Sequence, residues 1–281
     1  MYRTLVDCHS LALHLHDPDW VIVDCRFVLS DPEAGRRAYA AGHIPGARYA
    51  HLNEDLSSPV TPVSGRHPLP DPARLVATLG AWGIGGGKQV VAYDDSFGAM
   101  ASRLWWLLRW LGHDNVALLD GGLPRWQREG HPMTTDAPVV VPAQFVAAPR
   151  HDMWVDAATV ARAVTRKDWL VMDARAEERF NGEVEPLDPV AGHVPGAINL
   201  PYDDNLHLSG RFSSPDELRA LYTGFMETVP PAQVIQMCGS GVTACHNILA
   251  MEHAGLHGAR LYAGSWSEWI RDPSRPVARD E

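Results

Sequence analysis

Gly42-His43-Ile44-Pro45-Gly46-Ala47 returns 150 residues later as Gly192-His193-Val194-Pro195-Gly196-Ala197. Three more blocks repeat in the same order. Val21-Ile22-Val23-Asp24-Cys25-Arg26 matches Leu170-Val171-Met172-Asp173-Ala174-Arg175, residues 90–94 match 234–238, and residues 120–126 match 263–269. A fixed order with slowly drifting offsets marks an internal duplication. Each half carries short apolar runs: VIVDC, VVAYD and VALLD in the first, WLVMDA, VIQMC and ARLYA in the second. Such runs suit strands buried on both faces, as in a parallel sheet. Helix-like segments alternate with them, at 104–111 and at 216–226, the latter after a Ser214-Pro215 start. The expected fold is α/β, with two tandem domains, each a mostly parallel sheet flanked by helices. The expected boundaries are 1–132 and 153–281. Residues 133–152, rich in proline and valine, read as an extended linker lying on the surface of both domains.

The length of 281 residues accommodates two such domains. Hydrophobic residues at 46% and charged residues at 21% exclude a wholly disordered chain. A net charge of −10 with no basic run argues against nucleic acid as a partner. The N-terminal segment lacks the apolar core and small-residue cleavage site of a secretory signal. The most apolar stretch, from Leu104, is too short for a bilayer and contains Arg109. A soluble, cytoplasmic protein with no membrane association is expected; the oligomeric state is not legible. The four cysteines form no Cys-x-x-Cys pair, so neither a zinc site nor a disulfide framework is expected.

Cys238-Gly239-Ser240-Gly241-Val242-Thr243 follows an apolar run and opens into a helix-like stretch ending near Ala254. A strand–loop–helix unit places such a loop at the carboxyl end of a sheet, where open α/β folds bind ligands. Two glycines let the backbone curl and aim its N–H groups inward. The helix start adds partial positive charge. The device stabilises an anion, here the Cys238 thiolate, in a cradle of Gly239, Gly241, Val242 and Thr243. It needs no metal and no cofactor. Cys245 reads as helix core, and Cys8 and Cys25 as packing. A cysteine phosphatase would carry arginine where Ala244 stands. A Gly-x-Ser-x-Gly elbow around Ser240 fails at Cys238 and Val242, and no P-loop spacing is present.

The tandem halves, the two Gly-His-aliphatic-Pro-Gly-Ala turns, the Cys238 loop and Gly264-Ser265-Trp266-Ser267-Glu268-Trp269 together resemble the two-domain rhodanese family of sulfurtransferases. The loop wording is similar to that of 3-mercaptopyruvate sulfurtransferases; thiosulfate enzymes more often carry arginine and lysine at the positions of Gly239 and Ser240. The resemblance implies two rhodanese-like domains, only the second catalytic. It implies sulfur transfer from a small-molecule donor through a Cys238 persulfide to a thiol or cyanide acceptor. It implies proton transfer by Ser240, donor binding by Arg179, and a relay role for His43. His193 reads instead as ordering its turn. Asp94 stands where a first-domain cysteine would be, and the segment after it reads as no anion cradle. One departure concerns the donor: a second arginine expected after Glu185-Pro186 is Leu187. A thiosulfate-preferring enzyme and a non-catalytic sulfur carrier or binding module are the alternatives.

Overall fold

The apolar runs become the central strands of two sheets in the computed structural model, which describes residues 1–279. The first half runs β1 (Leu5–Val6), α1 (Cys8–Leu13), β2 (Trp20–Asp24), α2 (Ala34–Ala41), β3 (Arg48–Tyr49), α3 (Pro72–Ala81), β4 (Gln89–Tyr93), α4 (Ala101–Trp110), β5 (Val116–Leu119) and α5 (Gly122–Arg128). The second runs β6 (Trp154–Val155), α6 (Ala157–Ala163), β7 (Leu170–Asp173), α7 (Glu177–Asn181), β8 (Ile198–Asn199), α8 (Pro215–Met226), β9 (Val234–Met237), α9 (Ala244–His253), β10 (Arg260–Tyr262) and α10 (Ser265–Trp269). Each half forms one five-stranded sheet, ordered β1-β5-β4-β2-β3 and β6-β10-β9-β7-β8, with every pairing parallel. The two-residue edge strands have no periodicity to betray them in sequence. The Ser214-Pro215 start is a complete capping box, closed by Glu217. Among the described residues, no helix is long and apolar enough to cross a membrane.

The repeated blocks are bonded to one another within each half. At the end of β2, Arg26 pairs with Asp24 at 2.6 Å and donates to the Gly42 carbonyl at 2.7 Å. After β7, Arg175 pairs with Asp173 at 2.7 Å and donates to the Gly192 carbonyl at 2.9 Å. Both pairs are buried, so removing one partner strands a charge and costs about 3–5 kcal/mol. Beyond each tie, Ile44 and Val194 enter their cores fully buried. Each such side chain contributes about 1.5–3 kcal/mol. The histidines order these turns. His43 stacks on Tyr39 and His193 on Phe180, each with its Nδ1 at 2.9 Å from a carbonyl of the same half.

Two compact units emerge, and their membership departs from a simple cut. Residues 1–58, 69–150 and 208–212 make one unit; residues 59–68, 151–207 and the described residues from 213 onward make the other. Of the stretch expected to bridge both domains, residues 133–150 lie along the first unit and 151–152 open the second. Its N–H groups at Ala143, Ala148 and Arg150 donate to carbonyls of Gly80, Leu111 and Trp110, and Arg150 grips Asp114 through two bonds of 2.7 and 2.8 Å. The ends of α3 and α4 have carbonyls without helical partners, and the extended chain satisfies them.

Candidate active site

Cys238 follows the last residue of β9, and α9 begins at Ala244. The intervening turn is pinned by α10. Cys238 N–H donates to Ser265 Oγ at 3.1 Å, Trp266 N–H to the Cys238 carbonyl at 3.0 Å, and Ser267 N–H to the Gly239 carbonyl at 2.9 Å. Gly241 has φ +76°, and a Cβ there would lie 2.3 Å from the Ala263 carbonyl oxygen. Only glycine fits. Held this way, Gly241 directs its N–H at Cys238 Sγ, at 3.2 Å. Burial pushes the Cys238 thiol up, and the Asp173 charge adds to that. Hydrogen bonds from the Thr243 hydroxyl and from the Ser240 and Ala244 N–H groups outweigh both, and the thiol sits below its ordinary range. Cys8 and Cys25 are instead pushed up, mainly by burial, Cys8 to about 12. The four cysteines are all unbridged.

The donor-binding cation expected from sequence, Arg179, lies in α7. A chain of ion pairs orients it: Asp173 holds Arg175, Arg175 lies 3.5 Å from Glu185, and Glu185 holds the Arg179 Nη2 at 2.8 and 2.9 Å. Burial raises Glu185, but Arg179 and the N–H groups of Leu187 and Asp188 leave it below the usual carboxylate range. Both Arg179 terminal nitrogens lie 3.5 Å from where a Gly239 Cβ would be. Gly239 thus leaves space beside the sulfur.

Two expectations give way here. His43 is not the histidine that Ser240 meets. Its ring nitrogens face the carbonyls of Tyr39 and Asp136, at 2.9 and 3.1 Å, in the first unit. Ser240 Oγ instead lies 2.7 Å from Nδ1 of buried His67, in the 59–68 segment of the second unit. A signal existed: Ser64-Gly65-Arg66 recurs as Ser209-Gly210-Arg211, another block of the duplication, and these are the two segments whose membership departs from the simple cut. The second correction concerns Asp94. The segment after it is an anion cradle, already filled: the Asp94 carboxylate accepts from the N–H groups of Ser96, Gly98, Met100 and Ala101 at 2.8–2.9 Å.

Turns whose N–H groups face an acidic side chain after both β4 and β9, and the same strand order in both sheets, coincide with a family match. The profile of the rhodanese-like domain covers residues 7–129 and again 156–272. The chain belongs to the rhodanese-like family. Among relatives of this family, a Pseudomonas aeruginosa protein named "Probable 3-mercaptopyruvate sulfurtransferase" is 50% identical, over 98% of this chain and 97% of that one. The thiosulfate sulfurtransferase of Mus musculus is 34% identical, over 96% and 93%. Among solved rhodanese-fold structures, SseA from Escherichia coli, described as a 3-mercaptopyruvate sulfotransferase, superposes with a TM-score of 0.81 at 33% identity, over 95% of this chain and 100% of that one.

Proposed function

We infer that this rhodanese-family chain is a sulfurtransferase that draws sulfur from 3-mercaptopyruvate in preference to thiosulfate and passes it to a thiol or cyanide. The observation that carries the transfer chemistry is the Cys238 sulfur, set among N–H donors at the start of α9 with its thiol pulled below the ordinary range. The relatives' names, which include both donors, support the class.

The steps follow from the groups present. The Cys238 thiolate attacks the donor thiol sulfur, and its lone pair forms the new S–S bond. The donor C–S bond breaks, and its electrons leave as the enolate of pyruvate. The proton on the donor sulfur must then reach the enolate carbon. Ser240 and His67, 2.7 Å apart, offer hydroxyl and imidazole for that transfer. The persulfide left on Cys238 is an anion in the same cradle, which the loop's donors stabilise as they do the thiolate. Thiosulfate would need no such proton, since sulfite leaves as a stable dianion. The donor preference rests on the Ser240–His67 contact and on a loop whose Gly239 and Ser240 carry no charge.

The test is steady-state turnover of both donors side by side, with intact mass after donor treatment. One added sulfur on wild type and none on Cys238→Ser is expected, with higher kcat/KM for 3-mercaptopyruvate. Ser240→Ala and His67→Gln should lower kcat with that donor by about 10², and much less with thiosulfate. Sulfur transfer by Cys238→Ser would overturn the mechanism, and faster thiosulfate turnover at every concentration the preference.

A further inference from the structure

We propose that Arg66 is a donor-binding residue: with Arg179 it forms a two-cation clamp for the donor's anionic head, doing the work for which Leu187 has no charge. The clamp rests on the transfer chemistry proposed for Cys238 and names what holds its substrate.

A Cβ on Gly239, the residue next to the reacting cysteine, would lie 2.9 Å from Arg66 Nη2 and 3.5 Å from both terminal nitrogens of Arg179. The two guanidinium groups therefore converge on one spot beside Cys238, and the absence of a side chain at 239 leaves that spot open. They are also bridged from behind. Asp188 accepts a hydrogen bond from Arg66 Nη1 through Oδ1 and lies 3.6 Å from Arg179 Nη2 through Oδ2.

Exposure gives the arrangement a direction. The side chains of Arg66 and Arg179 are 23% and 19% exposed, while their partners Asp188 and Glu185 are 4% and 3% exposed. Carboxylates are at the back and cations at the front. An anion arriving at Gly239 meets guanidinium first, with planar donors suited to a carboxylate or a sulfonate-like head. Arg66 is fixed in place by its backbone. Its N–H donates to Ser267 Oγ at 3.0 Å, and α10, to which Ser267 belongs, also pins the Cys238 turn. Gly65 lies so close to Gly264 that a Cβ would stand 2.5 Å from its carbonyl oxygen.

The test separates a clamp from a mere anchor for Asp188. Cys238 is alkylated with iodoacetate, which carries a carboxylate, and with iodoacetamide, its neutral counterpart. In wild type the arginines favour iodoacetate. Arg66→Gln should lower the iodoacetate-to-iodoacetamide rate ratio about tenfold with little change in the iodoacetamide rate, and Arg66→Lys should retain part of the preference. In turnover, Arg66→Gln should raise KM for the donor about tenfold or more with kcat within about twofold. An unchanged ratio, or both reagents slowing together, overturns the clamp. If neither donor adds sulfur to wild-type Cys238, the transfer chemistry falls, and the alkylation ratio still decides the role of Arg66.

Discussion

Ser265 holds its backbone at φ +52°, a region that costs a residue with a Cβ about 1–2 kcal/mol. Its counterpart in the first half is Gly122, at φ +59° without that cost. The serine returns something glycine cannot: its hydroxyl accepts from Cys238 N–H and donates to the Tyr262 carbonyl at 2.8 Å. Strain at such a position is tolerated because the surrounding bonds over-determine it. Ser265→Ala and Ser265→Gly both lose the hydroxyl, but only alanine keeps the strain. Urea unfolding should find Ser265→Gly the more stable of the two by about 1 kcal/mol; equal midpoints would show that the angle carries no penalty. At this scale the sequence was partly legible. Cys238 stood out because its loop chemistry is local, a strand followed by glycines and a helix. Ser265 and His67 act on that loop from 27 and 173 residues away, and no spacing rule announces such contacts.

The loops after β4 and β9 both direct backbone N–H groups at an acidic side chain, Asp94 in one and Cys238 in the other. Asp94 fills the first cradle with its own carboxylate, which burial raises above the usual aspartate range although four N–H groups pull it down. Asp94→Asn would turn an amide NH₂ toward N–H donors that now have an acceptor, and should destabilise the protein by about 2 kcal/mol or more at neutral pH. The sign with pH follows from the raised value. The folded state binds the extra proton, so the proton-linked part of this group's contribution is full below the unfolded aspartate range and is lost as pH rises through the folded value, while the hydrogen bonds to the loop remain. Urea midpoints measured from acid to neutral pH should therefore fall less steeply for Asp94→Asn than for wild type. An identical slope would remove Asp94 from the account. Elements of this length were readable where apolar runs were long, as at β2, β4, β7 and β9. They were hidden where two residues suffice for an edge strand, at β1, β3, β6 and β8, since pairing there is decided by the neighbouring strand. The Asp94 cradle was missed because a carboxylate that satisfies its own loop looks, in sequence, like an ordinary turn residue.

At the scale of the whole chain, the duplication was legible and the membership of its parts was not. Residues 59–68 and 208–212 are matching segments, each belonging to the unit its half does not supply. Gly65 is pressed against Gly264, and Gly210 against Phe97 at 2.3 Å from where a Cβ would be. Gly65→Ala should displace Arg66 and His67 together, raising donor KM and lowering kcat by about tenfold each. Gly210→Ala, the matching change in the other segment, should cost stability and leave kcat within about twofold. Kinetics on the pair decide whether the 59–68 segment serves the reaction; equal losses in both would deny it. The crossed segments also bear on inheritance. A gene encoding only the second half would carry the nucleophile without Arg66 or His67, and one encoding only the first would lack Arg211, which grips Asp120 at 2.8 Å. Deleting either half takes away bonds made inside the other half's unit, so a duplication that supplies two copies of a fold also ties those copies to each other.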